Sequence, residues 1–510
     1  MKNLLTLSAI IMGLTCTKAN NLVLSNMSIP DNQHIVFDIV WNNSWNIGGV
    51  NYDGVWVFVK VQDCGVAGTP WTHAGMSITS SDHVASLGVL SIDAVTDGKG
   101  VFIKRGSVGQ GTLGVCTVTL KFSAVYVLAQ TNFQVFGIEM VNIPQEGNFQ
   151  VGDGSGSTAS PNSVYAWGNT VIAGEGAIAL NALQNGVNSN SRNLALPVAF
   201  PKGFARMYCM KYEISQQQYG AFLNTLNYTQ QALRTANAPN SAPGTGAVCN
   251  GVNRNFLKVK FSGVSATTPA VYGNDASGNA NYDEVGGADG GELACNYLSW
   301  NDMLAYLDWA ALCPMTELQY EKICRGPLAA VLNEKPWGST TINIAQSTAL
   351  TNAYAINEIS TSVLDGLCAY NSAAGNGPLR VGFAATAITS RTGAGSSFYG
   401  VMDMGGNVAD FTESVGNSFA ALPAGGILFG GALGDGGLNA AGNADAASWG
   451  VSTLWYAIPR GGAYTLITTG FATATATQET NASDRSQLVI TNYADNTRYS
   501  WSGGRGVRTY

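Results

Sequence analysis

Two aspartates flank a pair of glycines in the stretch Asp403-Met404-Gly405-Gly406-Asn407-Val408-Ala409-Asp410. The glycines free the backbone to turn sharply, so carboxylates on either side and nearby carbonyls can face one centre. A calcium ion takes roughly six to eight such oxygens. The same residue types also cap ordinary turns, and both readings stand at this point. The remaining candidates are thinner. His34, His73 and His83 are the only histidines, so nothing after residue 83 offers a Cys–His dyad or a histidine metal site. Ser483-Asp484-Arg485 is ordinary turn chemistry, and Gly286-Gly287-Ala288-Asp289-Gly290-Gly291 lacks the lysine of a phosphate loop.

Nine cysteines occur, the last of them Cys368. How to read them depends on compartment. Lys2, an apolar stretch over residues 4–14 and Thr17-Lys18-Ala19 form a secretory signal ending before Asn20. A lipid anchor on Cys16 is the alternative. Export leaves Cys64, Cys116, Cys209, Cys249, Cys295, Cys313, Cys324 and Cys368, an even set that suggests disulfides. Cys64 and Cys116 stand alone in the first part of the chain and are expected to pair. The other six leave roughly 15 connectivities open. No later stretch reaches the roughly 18–20 apolar residues that span a bilayer, so no membrane span is expected.

Charged residues make up only 11% of the chain, against about 25% in an average soluble protein. Net charge is −7 without a basic run, which excludes a nucleic-acid partner that needs clustered Lys and Arg. Low charge and 62 glycines suit a loop-rich, mainly β protein outside the cell, and they permit copies to associate.

The elements that would position the aspartates follow from pattern. Residues 34–41 and 55–61 are β-branched and aromatic, residues 101–104 follow the turn Asp97-Gly98-Lys99-Gly100, and residues 115–122 alternate with Cys116, Val118, Leu120 and Phe122 on one face. Residues 20–136 therefore read as a β-sandwich, with residues 137–510 as a second, α+β unit. Softer insertions fall near 153–200, 237–290 and 415–450. Helices are few. Ser215 with Gln218 and Thr316 with Gln319 are capping boxes, and Asn301 opens a helix carrying Leu304 and Leu307.

Several blocks occur together in order: Met207-Tyr208-Cys209-Met210-Lys211-Tyr212-Glu213, Leu298-Ser299-Trp300-Asn301-Asp302, Cys313-Pro314-Met315-Thr316-Glu317, Pro336-Trp337-Gly338, Arg380-Val381-Gly382, the 403–410 stretch, Pro459-Arg460-Gly461-Gly462 and Gly503-Gly504-Arg505-Gly506-Val507-Arg508. Over residues 137–510 the chain resembles the formylglycine-generating enzyme, or sulfatase-modifying factor, family. The resemblance implies a C-type-lectin-like α+β fold with long loops. It implies a calcium ion held by the Asp403 and Asp410 side chains and the Gly406 and Val408 carbonyls, with Asp410 in place of the family's glutamate. In that family two cysteines after the Arg-Gly-Gly block bind copper and oxidise a substrate cysteine. Here their places fall to Leu466 and Phe471. Copper is accordingly not expected, and the chain reads as a non-enzyme. Arg460, Arg505 and Arg508 are expected to hold the final strands by charge-assisted bonds.

The function expected is that of a secreted, non-catalytic subunit, structural or adhesive, self-assembling into filaments or arrays. The alternative is a surface module binding a cell-surface glycan or protein through its C-terminal face, where Tyr493, Tyr499 and Trp501 are the aromatic candidates. A copper-dependent oxidase with relocated cysteines is the minor alternative.

Overall fold

The computed structural model describes residues 18–19, 22–66, 69–154, 170–178, 196–284, 287–345, 349–362, 364–371, 377–386, 390–415, 429–449, 457–467, 475–489 and 496–509. The first part of the chain forms β1 (Leu22–Asp31), β2 (His34–Val40), β3 (Asn51–Asp63), β4 (Leu90–Ala94), β5 (Val101–Arg105), β6 (Cys116–Lys121) and β7 (Thr131–Ile143). β2 runs antiparallel between β1 and β6. Along β2, Ile35, Phe37 and Ile39 are fully buried while the residues between them are half-exposed. That alternation is the mark of a sheet with one face on a core.

β3 behaves differently, being buried at almost every position from Tyr52 to Val61. Both of its faces are covered. Val55, Val57 and Val59 pack with Ile35, Phe37 and Ile39 across the sandwich, whereas Tyr52, Trp56 and Phe58 enter a second, larger core. A strand covered on both sides needs a near-continuous apolar run, and residues 55–59 supply one.

Beyond β7 come β8 (Met207–Met210), α1 (Gln216–Leu223), α2 (Tyr228–Arg234), α3 (Trp300–Trp309), β9 (Cys313–Pro314), α4 (Glu317–Arg325), β10 (Ala409–Glu413), β11 (Ala457–Arg460), β12 (Ser502–Gly503) and β13 (Gly506–Thr509). β7 pairs with β3 from Thr131 opposite Asp63 to Val141 opposite Asp53, and its end pairs with β8, Met140 opposite Met210. One sheet therefore continues β3–β7–β8–β13–β9. Residue 136, read from sequence as the end of the sandwich, lies inside β7. The inner sheet of the sandwich is also the sheet of the larger unit. Across the junction the Phe58 ring meets Trp309 edge-on at 5.1 Å, and the Trp56 indole N–H donates to the Ala310 carbonyl at 2.9 Å.

The capping boxes at Ser215–Gln218 and Thr316–Gln319 are both formed. The helix expected from Asn301 starts one residue earlier, because Ser299 and Asp302 make a third box. Of the expected insertions, 237–290 carries a hairpin of Leu257–Phe261 and Val271–Asn274. The described part of the third, 429–449, is folded onto α3: the backbone N–H groups of Asp435, Asp445 and Ala446 all donate to the Asp308 carboxylate. Overall the chain is mainly β with few helices, as the pattern implied.

Candidate functional site

β10 carries Asp410 between β11, antiparallel, and β12, parallel, so that Asp410 stands opposite Arg460 on one side and Gly503 on the other. The strand is preceded by the turn that the glycines permit. Asp403, Gly406 and Asn407 all take positive φ, at 54°, 81° and 62°. At Gly406 a Cβ would lie 2.4 Å from the Ala369 carbonyl oxygen and 2.4 Å from the Cys368 sulfur, so this position requires glycine.

The centre of the block is an arginine. Arg505, just past β12, donates from Nε to both oxygens of Asp410, at 3.1 and 2.9 Å. Its terminal nitrogens donate to the Met402 and Asp403 carbonyls at 2.7 and 2.9 Å. Glu213 completes the cluster, accepting from the Asn407 side chain at 2.6 Å and the Val408 backbone N–H at 3.0 Å. The Asp403 carboxylate accepts from the Gly382 N–H at 2.5 Å. All of these groups are buried. Burial pushes the Asp403 carboxyl up to about 6 and raises Asp410 and Glu213 too, with Arg505 opposing the rise at each. For Arg505, burial acts against the charge, but Asp410 and Glu213 hold it protonated.

Of the four residues expected to bind calcium, Asp403 and Asp410 meet at Arg505, yet Asp403 offers it the backbone carbonyl and Asp410 already gives both carboxylate oxygens to the guanidinium. A calcium ion taking Asp410 would have to displace Arg505, so the side chains as they stand do not fit the ion. Glu213 was not singled out from sequence as a site residue. Its role depends on a residue almost 200 positions away, and no local pattern announces that. Among the described residues, the one group of three acidic, histidine or cysteine side chains close enough to share a metal is Asp308, Asp435 and Asp445. Asp308 is occupied there as the clamp of the 429–449 segment.

The other two arginines hold strands as expected. Arg460 reaches Glu317 at 3.1 Å, Glu321 at 3.2 Å and the Ala482 carbonyl at 2.8 Å. Arg508 donates to Asp97 at 2.6 Å and to the Ala311 carbonyl, and it lies over the Trp56 ring at 4.2 Å.

The disulfide expectation is not met. All eight cysteines from Cys64 to Cys368 are free thiols. Cys64 is exposed just beyond β3, while Cys116 is buried at the start of β6 in the opposite sheet. Cys209, Cys295, Cys313, Cys324 and Cys368 are each buried to 1% exposure or less, and Cys249 is buried as well. Burial pushes Cys209 and Cys313 up to about 12 and raises Cys116, Cys249, Cys295, Cys324 and Cys368. Thiols held in that form are poor nucleophiles and poor metal ligands; they pack as small apolar groups.

Leu466 follows β11 and is half-buried; Phe471 lies outside the described residues. Trp501, expected on a ligand surface, is instead 3% exposed and packs in the larger core. Its ring stacks on Tyr499 at 4.8 Å, and Tyr499 is half-buried against the same core. The reason is position: Trp501 enters β12, whose residues pair with the buried β10. Tyr493 lies outside the described residues.

Among the curated proteins, none matches this chain. A family model described as the sulfatase-modifying factor enzyme 1-like domain matches residues 139–488, well over half of the sequence, and its match begins inside β7. The order of blocks, the arginine-centred cluster beneath the glycine turn and this match lead to one conclusion: the chain belongs to the sulfatase-modifying factor enzyme 1-like family.

Proposed function

We propose that the protein is a non-catalytic member of its family that works outside the cell as a structural or adhesive subunit, associating with copies of itself. The observation that carries the first half is the side chain at position 466. A copper site of the family type needs two thiolates at fixed spacing, and this chain has Leu466 and Phe471 there, with no cysteine after Cys368. The thiols elsewhere do not replace them, since seven of the eight free cysteines are buried. Support for self-association comes from the low charge and from apolar side chains left on the sandwich surface. Val115, Val125 and Val127 are each more than 60% exposed.

Electron microscopy of residues 20–510, first with calcium and then with excess chelator, tests the reading. Ordered filaments, tubes or arrays are expected in both conditions. Uniform single particles in both would overturn the structural role and turn attention to glycan or peptide binding. Oxygen uptake with a cysteine peptide and copper is expected to stay at background. Turnover there would restore the enzyme.

A further inference from the structure

Three ionisable side chains meet at the junction of the sandwich with the larger unit. Lys211, just past β8, lies 3.0 Å from Asp53 Oδ2 on β3 and 3.0 Å from Glu139 Oε2 on β7. The side chains are 4%, 0% and 1% exposed. The Lys211 ammonium sits over the Trp45 ring at 4.7 Å and the Tyr212 ring at 5.3 Å. The other Asp53 oxygen, Oδ1, accepts the Trp45 backbone N–H at 2.8 Å. The other Glu139 oxygen, Oε1, is buried with no hydrogen-bond partner. An ion pair alone accounts for the first contacts. It does not account for a second carboxyl with one buried oxygen left without a hydrogen-bond partner.

We propose that Lys211 and Asp53 condense, without any added cofactor, into an amide bond between their side chains, with Glu139 as the proton carrier. In this buried site, one proton moved from Lys211 Nζ to Asp53 converts the ion pair into an amine beside a carboxylic acid. The amine lone pair attacks the Asp53 carboxyl carbon, one bond from the oxygen that Lys211 Nζ contacts at 3.0 Å. The oxygen that gathers negative charge is the one held by the Trp45 N–H. Glu139 takes a proton from the nitrogen and passes one to the departing hydroxyl. The C–N bond forms, a C–O bond breaks and one water leaves, so neither oxidant nor reductant is needed. Burial, opposed by Lys211, pushes Glu139 up to about 7, suiting it to exchange protons near neutral pH. Burial disfavours the Lys211 ammonium, but Glu139, Tyr212 and Asp53 hold it charged, so the internal transfer to Asp53 is the slow step. The product would join β3 of the sandwich covalently to the chain leaving β8.

The test is intact-mass measurement of the denatured, reduced, full-length protein with its N-terminus determined, followed by peptide mapping. The expected mass lies one water below that of the sequence. The map is expected to hold a branched peptide containing both Asp53 and Lys211, with no tryptic cut after Lys211. Lys211→Arg and Glu139→Gln are expected at full mass. Asp53-Gly54 can also lose water by closing a ring on its own backbone. That product would survive in Lys211→Arg and give no branched peptide, and finding it would overturn the proposal. Full mass and linear peptides in the wild-type chain would do the same. Should either variant fail to fold, by circular dichroism, the wild-type peptide map alone decides.

Discussion

At the scale of single residues, Glu413 is the clearest departure from ordinary practice. It ends β10, is fully buried, and neither carboxylate oxygen has a hydrogen-bond partner. On the same face of the strand, Ala409 and Phe411 lie in the larger core. Burial pushes Glu413 up to about 8. A group whose folded value is raised contributes stability that is complete below its unfolded value and is lost as pH rises through the folded one. Wild-type stability should therefore fall from about pH 4.5 to about pH 8, by up to about 1.4 kcal/mol per pH unit for this one proton, and the slope should vanish above that. Glu413→Gln should remove that slope in urea titrations from pH 5 to 8. An unchanged slope would show that the carboxyl is solvated. Arg505 makes the opposite case, a buried charge with every partner in place. Arg505→Met leaves Asp410 and Glu213 without their cation and should cost about 3–5 kcal/mol, read from the urea midpoint. Because Asp410 already gives both oxygens to Arg505, chelator should leave the wild-type melting temperature where it is. The cysteines give a simpler check. Cys64 is the one exposed thiol among the eight, so Ellman's reagent should react quickly with it alone in the native protein and with the rest only after denaturation.

At the scale of elements, what the sequence discloses depends on how local the cause is. Helix starts are set by contacts three residues apart, and the boxes at Ser215 and Thr316 were legible for that reason. The third start falls one residue before Asn301 because its box uses Asp302, an aspartate in the place of the usual Glu or Gln. β2 was legible from its β-branched and aromatic composition, and β6 from alternation. The apolar run of β3 announced a strand but not its two covered faces, since a run of valines reads the same whichever layer lies beyond it. That ambiguity also hid the true junction. Residue 136 looked like a boundary because the sandwich pattern ends there, whereas pairing of β7 with β3 and β8 is a matter of partners far off in sequence. The cysteine pairing failed on another ground. An even count in an exported chain is a statement about compartment, and it is silent on whether each sulfur finds a partner or an apolar pocket. The glycine turn and its two aspartates were legible, while the arginine between them came from a block roughly 100 residues later. The double role of β3 has a measurable cost. Phe58 stacks on Phe136 at 5.4 Å and meets Trp309 edge-on. Phe58→Ala should cost about 3–5 kcal/mol in denaturant titration. A loss near zero would mean that the junction repacks.

At the scale of the whole molecule, the shared sheet bears on how the chain unfolds. Separate domains joined by a linker melt separately, but here β7 belongs to both cores at once. Phe133 and Val135 face the sandwich interior, and Phe136, Ile138 and Met140 face the larger one. Buried polar contacts reinforce the seam. Lys60 of β3 is fully buried and donates to the Trp309 and Gly436 carbonyls, both at 2.6 Å, beside the His73 ring. Opening one core would strand these donors and strip cover from one face of β3, so neither core can open alone cheaply. Scanning calorimetry should therefore show one transition, with calorimetric and van't Hoff enthalpies in agreement. A chain begun at residue 137 should fail to give it, because it lacks Trp56 and Phe58 and leaves Lys211 buried without Asp53. Two resolved peaks in the full chain would mean that the sandwich folds and melts on its own. The continuous strand would then be a contact between neighbouring domains and not a shared part of both cores.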